Sequence, residues 1–222
     1  MTLEDLSALF KPATPSTQRA AILRDALSAA LIVGVALLAW EVAVRAQNVP
    51  VYILPAPSVV ATTLWQEMGY YARQSLVTLG EALGGLLLGL GIGIAVAIVV
   101  TFWKHLERGI LALAILIKTT PLVAIAPLLV IWFGFGPLPK VIITGLITFF
   151  PVLINVHSGL HDVDGATLAL FHSLNANRWE LFRYARWPST MPHLFDALKV
   201  VAPLSLVGAV VAEWAGASAG LG

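Results

Sequence analysis

The sequence predicts an all-α protein, a polytopic bundle of membrane-spanning helices, on three observations. Hydrophobic residues make up 59% of the 222 and charged residues 11%, whereas soluble domains sit near half apolar and a quarter charged. The apolar residues gather into runs of the length, about twenty residues, that a helix needs to cross hydrocarbon. Lys and Arg collect in alternate connecting segments, as they do on one side of a membrane. A formal net charge of +1 excludes a nucleic-acid surface, and the absence of cysteine excludes disulfides, thiolate catalysis and cysteine metal sites.

Taken in order, residues 1–25 mix acidic, basic and proline residues ahead of any long apolar run. They read as a retained cytoplasmic lead-in rather than a signal peptide, followed by a membrane domain over residues 26–222. The first span runs from Ala26 to Val44, with Glu41 near its outer end. The segment "VYILPAPSVVATTLWQEMGYYARQS" is too polar to span, and its prolines followed by Trp65, Tyr70 and Tyr71 suit an interfacial segment. The second span, Leu76 to Trp103, carries Gly80/Gly84 and the row Gly85, Gly89, Gly93 at four-residue spacing, which lets helix backbones approach closely within one subunit or between two. In the third, Leu106 to Phe135, Pro121 and Pro127 remove backbone donors and should kink the helix. Such a helix belongs beside protein or a cavity, lining a path. The turn "GFGPLPK" leads to a fourth span, Leu138 to His157, and the fifth runs from Leu194 to Trp214.

Lys11, Arg19 and Arg24 precede span one, Lys104 and Arg108 join spans two and three, and Arg178, Arg183 and Arg186 join spans four and five. If five helices alternate, all three segments share one side, which should be the cytoplasm, together with the N-terminus. The other side holds Arg45, Arg73 and Lys140.

The loop over residues 161–192 predicts two short helices. Asp164 caps the first, Ala166 to Leu174, and Asn175 tolerates the left-handed backbone that ends it. Asn177 caps the second, with Glu180 completing a capping box; Pro188 stops it and Pro192 sets up span five. Trp179, Phe182, Arg183 and Arg186 share one helical face. Leu168, Leu170, Phe171 and Leu174 give the first helix apolar surface on more than one side, which favours docking on a partner protein over lying on the bilayer.

From "FFPVLINVHSGLHDVDG" through "LNANRWELFRYARWPSTMPHLFDALKV" to "VGAVVAEWAGASAGLG", with "PAPSVV", "TLGEALGGLLLGLGIGI" and "PLLVIWFGFGPLPKV" upstream, the chain resembles permease subunits of binding-protein-dependent ABC importers. The resemblance covers about residues 35–222. Within that family it looks like the branch handling nitrate, taurine, aliphatic sulfonates and pyrimidine precursors of thiamine. It implies the type I importer permease fold, five of whose spans are visible, with a sixth expected beyond "GLG". It also implies that Leu170, Phe171, His172, Ser173, Leu174, Asn175, Ala176, Asn177, Arg178 and Trp179 form the helix that couples to the ATPase. The family pattern there is Glu-Ala-Ala, then Gly, then a later Pro. Ala169 stands at the Glu, Leu170 and Phe171 at the alanines, and Asn175 at the Gly, while Arg178, Trp179, Pro188 and Pro192 fit. Asn keeps the left-handed backbone; the other departures bear on the docking contacts.

The implied partners are cytoplasmic ABC ATPase subunits, which bind the ATP and Mg, a periplasmic or lipid-anchored solute-binding protein, a second permease copy and membrane lipid. The implied location is the bacterial inner membrane. Solute discrimination is expected to reside largely in the binding protein.

The chain has no G-x-x-x-x-G-K-[ST], so it holds no phosphate cradle and no cofactor of its own. His157 and His161 lack a third ligand, and Ser158 lacks a hydrolase pattern, so neither a metal site nor an enzyme is expected. Charges inside spans are functional candidates. Lys118, beside Thr119, Thr120 and Pro121, attracts an anion in the path or else snorkels to the cytoplasmic interface or pairs with an internal carboxylate. Glu81 and Glu213 lie near the outer side, where Glu213 gates the path, meets the binding protein or anchors the interface. Lys118, Pro121 and Glu213 are the path candidates. A stand-alone carrier or channel would need inverted repeats, and no self-similarity beyond the glycine rows is seen.

Overall fold

The computed structural model describes the backbone of residues 15–222 and the side chains from Arg24 onward, except those of Lys104 and Val123. Among the described residues every regular element is a helix. Residues 1–14 of the lead-in, Lys11 included, lie outside the described residues; its remainder is helical. Two compact units form, residues 1–68 and 69–222.

In the first unit α1 runs Pro15–Ala46, of which Arg24–Ala46 is apolar enough to cross a membrane. Asn48, in the left-handed region at φ 49°, turns the chain toward α2, Pro57–Gln66. The residue flanking the start of α2 is Ala56, which offers no side-chain cap. Glu41 supplies one from α1: its carboxylate accepts from Ser58 N at 2.9 Å and Ser58 Oγ at 2.7 Å, and from Arg45 Nε at 2.5 Å. An in-span acid is thereby used as a cap for a second helix.

The second unit opens with α3, Met68–Phe102. It starts eight residues before the expected Leu76, so Tyr70 and Tyr71 belong to its first turns and not to a separate interfacial segment. Nothing between Met68 and Leu76 breaks a helix, and Arg and Gln are good helix formers. At 1.5 Å per residue α3 is about 52 Å long, against roughly 30 Å of hydrocarbon.

The expected third span is two helices, α4 (Lys104–Thr119) and α5 (Leu122–Phe133), bent by 97° at the join. Pro121 breaks the span instead of kinking it. The residue before a proline avoids the α region, and Thr120 sits extended at φ −71°, ψ 132°. The carbonyls freed at the end of α4 are met locally, since Leu116 O accepts from Thr119 Oγ1 at 3.0 Å and Thr120 Oγ1 at 2.7 Å. Pro127 lies inside α5. By length and composition the described residues therefore hold four helices able to cross a membrane, and five spans when the bent pair counts as one.

The central helix is α6, Pro137–His161. Its Val152, Leu153, Val156 and Leu160 are fully buried with Ala97 of α3 and Val201 of the last helix, and Phe149 completes that face. A second cluster joins Ala126 and Leu129 of α5 to Ile143 and Ala212. The glycine rows divide. Gly85, Gly89 and Gly93 face Thr144, Thr148 and Val152 of α6 at backbone contact, whereas Gly80 meets nothing within 4 Å. Close packing within the subunit accounts for the longer row.

After α6 come α7 (Gly165–Ser173) and α8 (Arg178–Leu181), then a π turn, Phe182–Arg186, that runs without a stop into α9, Trp187–Trp214. Pro188 was expected to end the second loop helix; it does not. Trp187 N donates to Phe182 O, one residue farther back than in an α-helix. The wider turn eases the clash that the ring of Pro188 would otherwise make with the preceding turn. The loop proper is thus residues 162–177, and its second helix is the tip of the last span.

Candidate coupling surface and translocation elements

The loop is built from its caps outward. Asp164 accepts from Thr167 N at 2.5 Å and from Thr167 Oγ1 at 2.8 Å. These bonds hold its carboxyl below the usual range, because they favour the charged form. At the other end Ala176 N donates to Phe171 O at 3.0 Å across Asn175, which sits at φ 52°, a left-handed ending that Asn tolerates. Asn177 Oδ1 then accepts from Trp179 N and Glu180 N, while Glu180 Oε2 accepts from Asn177 N at 2.8 Å, completing the expected capping box.

Both ends of α7 are therefore determined locally, yet none of its residues is buried. Leu168, Leu170 and Leu174 are 37%, 56% and 68% exposed. Leu170, Phe171, His172, Ser173 and Leu174 lie along this helix and its end; Asn175, Ala176 and Asn177 form the turn; Arg178 and Trp179 begin α8. The structure brings the ten expected coupling residues into one projecting element. Its root is fastened by aromatic rings: Trp179 and Phe182 stack with centroids 5.4 Å apart, and Phe102 at the end of α3 lies 5.3 Å from Phe182. Rings in such pairs add to the stability gained from burial alone. Because the cap is an ionised carboxylate, it is complete above an ordinary Asp pKa of about 3.9 and is lost as pH falls through the lowered folded value. Asp164→Ala should raise amide hydrogen exchange at Thr167 and the next turn of α7, while Asp164→Asn, which keeps an acceptor, should change it little.

Lys118 ends near the middle of the bundle. Its Nζ stands 4.6 Å from the ring centroid of Phe150, halfway along α6, a cation–π contact. Pro121 lies three residues on, at the break itself.

At the end of the bundle opposite the loop, Glu213 is 2% exposed. Its carboxylate accepts from Thr78 Oγ1 at 2.7 Å and Gly222 N at 2.6 Å. Gly220 N donates to Gln74 Oε1 and Leu221 N to Thr78 Oγ1, so residues 220–222 are stitched to α3. The placement is not that of an interfacial anchor, and Trp214, 71% exposed, is the better candidate for that. Lys140, expected on an outer hairpin, is 2% exposed. Its Nζ donates to Phe135 O and Gly136 O, each at 3.0 Å, and lies 3.6 Å from Glu81 Oε1. The Glu81–Lys140 ion pair thus ties α3 to α6, and the Thr78–Glu213 hydrogen bond ties α3 to α9. Lys140 carries no sequence signal for this role, since a lysine beside a turn ordinarily points to water.

His161 Nδ1 donates to the His157 carbonyl at 2.8 Å, and His157 Nε2 lies 3.3 Å from Glu107. Among the described residues no group of three His, Cys, Asp or Glu side chains is arranged to hold a metal ion.

Residues 85–222 match the family model described as binding-protein-dependent transport system inner membrane component. A probable ABC transporter permease protein of Haemophilus influenzae is 35% identical over 86% of this chain and 78% of its own length. The riboflavin transport system permease protein RibX of Chloroflexus aurantiacus is 37% identical over 82% and 69%. The formylaminopyrimidine transport permease protein ThiX of Halalkalibacterium halodurans is 33% identical over 82% and 73%. With the all-α membrane fold already established, the chain belongs to the inner-membrane components of binding-protein-dependent transport systems and is a multi-pass permease subunit of an ABC importer.

Proposed function

We propose that residues 170–179 dock on the cytoplasmic ATPase and pass its motion to the membrane helices. The observation that carries this reading is the exposed apolar surface of α7, a helix capped at both ends that buries nothing within its own chain. A moving α7 acts on a stem with no break: α8, the π turn and α9 are one rod, and the aromatic stack ties that rod to the end of α3. ATP binding by the partner then favours one of two arrangements of the bundle. The basic segments around Arg24, Lys104 and Arg178 support a cytoplasmic position for the loop and the N-terminus. One chain supplies half of a pathway, and a second copy related by a two-fold axis completes it, with lipid around the pair.

Within the path Lys118 is the electrostatic element and the break at Pro121 the flexible one, with Glu213 in the lock at the opposite end. The solute is a small molecule, a thiamine pyrimidine precursor, the class nearest the formylaminopyrimidine named for ThiX, before a sulfonate, taurine or nitrate. Uptake of labelled formylaminopyrimidine by cells carrying the whole system is expected to be undiminished by excess taurine; inhibition by taurine and no uptake of the pyrimidine would shift the assignment to the anions.

Leu170→Glu with Leu174→Glu should abolish co-elution of the ATPase and its transport-stimulated hydrolysis while leaving the unfolding temperature of the permease within a degree or two, because both side chains are already in solvent. Undiminished co-elution would remove the coupling role from this loop.

A further inference from the structure

A cavity of about 570 Å³ opens beside the root of the loop. Phe102 and Trp103 line it from the end of α3, His105 from the first turn of α4, and Arg178, Phe182 and Arg186 from α8 and the π turn. The last three are four residues apart in a helix whose turn is widened, so they share a face. Phe182 is buried and stacked, which holds the two arginines at a set spacing on either side of it. No acidic residue lines the cavity. Among the described residues neither arginine has a carboxylate within 4 Å.

Two guanidinium forks and an imidazole lining one open cavity are matched by an anion with several oxygens. Arg presents paired N–H donors at the spacing of phosphate oxygens, and the His105 ring adds an N–H. We propose that this cavity is a phosphate-group site, with Arg178 and Arg186 clamping the non-bridging oxygens and His105 donating a third bond. Phospholipid headgroups and free phosphate esters share that chemistry. The rim favours the headgroup: Trp103 and Trp179 are 58% and 57% exposed at the point where α3 ends, and exposed indole rings settle at headgroup depth. An occupied site bridges α4 to the stem of the loop, contacts made by residues outside α7.

The test is lipid retention by the purified full chain in detergent, read by native mass spectrometry with phosphatidylglycerol or a galactosyl diacylglycerol, which has no phosphate, added. The parent should retain phosphatidylglycerol about tenfold better than the galactolipid, the size expected from one or two charge-assisted bonds. Arg178→Gln with Arg186→Gln should reduce it to the galactolipid level. Displacement of phosphatidylglycerol by excess inorganic phosphate would mean that free phosphate shares the site; no displacement would leave the headgroup as its ligand. Equal retention of both lipids by the parent, with no effect of inorganic phosphate on its unfolding temperature, would overturn the proposal. Equal phosphatidylglycerol retention by parent and Gln pair would do the same. Should the Gln pair not elute as folded protein, Arg178→Lys with Arg186→Lys decides, keeping charge without the fork: retention must fall several-fold, and parental retention sinks the clamp. Loss of ATPase binding with phosphatidylglycerol retention intact would make the cavity a protein-docking surface. The coupling reading stands or falls separately, at Leu170 and Leu174, which line no part of it.

Discussion

Replacing Lys140 with Met is expected to lower the unfolding free energy by about 3–5 kcal/mol, the cost of leaving a buried charge without its partner. Lys140 is the cation within the membrane-domain lock, with Glu81 3.6 Å away and two carbonyls at 3.0 Å. Its removal leaves the Glu81 carboxylate, 5% exposed, with neither water nor an opposite charge, and one of its oxygens already lacks a hydrogen-bond partner among the described residues. The double change Glu81→Gln with Lys140→Met removes both charges and should restore much of the loss, since an uncharged pair carries little desolvation penalty. Thermal unfolding in detergent would read both, and a single variant as stable as the parent would show that Lys140 bears no charge-pairing role. Glu213→Gln should have a smaller effect on stability, because an amide oxygen still accepts from Thr78 or Gly222.

Gly89→Val is expected to be the most disruptive single change in the bundle. A Cβ at Gly89 would lie 2.8 Å from the Gly145 carbonyl oxygen and 3.0 Å from Phe149 N, both backbone atoms of α6. A side chain can rotate away from such a clash, but a helix backbone has to move as a body. The cost should exceed the roughly 1–3 kcal/mol of ordinary overpacking, read as loss of monodisperse protein on size exclusion. Gly91→Ala, two residues away with nothing within 4 Å, should be neutral or stabilise by about 0.5 kcal/mol through helix propensity. Equal behaviour of the two variants would mean that α3 and α6 do not pack through this row.

Much of the coupling surface was legible because its signals are local. Asp164, Asn175, Asn177 and Glu180 act on backbone groups within a few residues of themselves, so the order of types along the chain specifies the caps. The apolar runs likewise declared the spans, since hydrocarbon demands length and composition with no reference to what lies beside each helix. Local reading failed where a proline was judged alone. Pro121 breaks its helix where a kink was expected, and Pro188 is carried through a π turn where a stop was expected, because each outcome depends on which neighbouring groups satisfy the freed backbone.

Composition, periodicity and capping residues by themselves determined an all-α membrane protein, its apolar runs and the capped helix starts on either side of Asn175, for these follow from the solvent and from contacts a few residues apart. Only the tertiary structure decided that Lys140 is buried beside Glu81, that the glycine row faces Thr144 and Thr148, that Lys118 reaches Phe150 and that Arg178 and Arg186 share a cavity with His105. Each joins residues at least 32 positions apart in sequence, except the arginine pair on one helical face, and such pairings arise from which helix faces bury against one another.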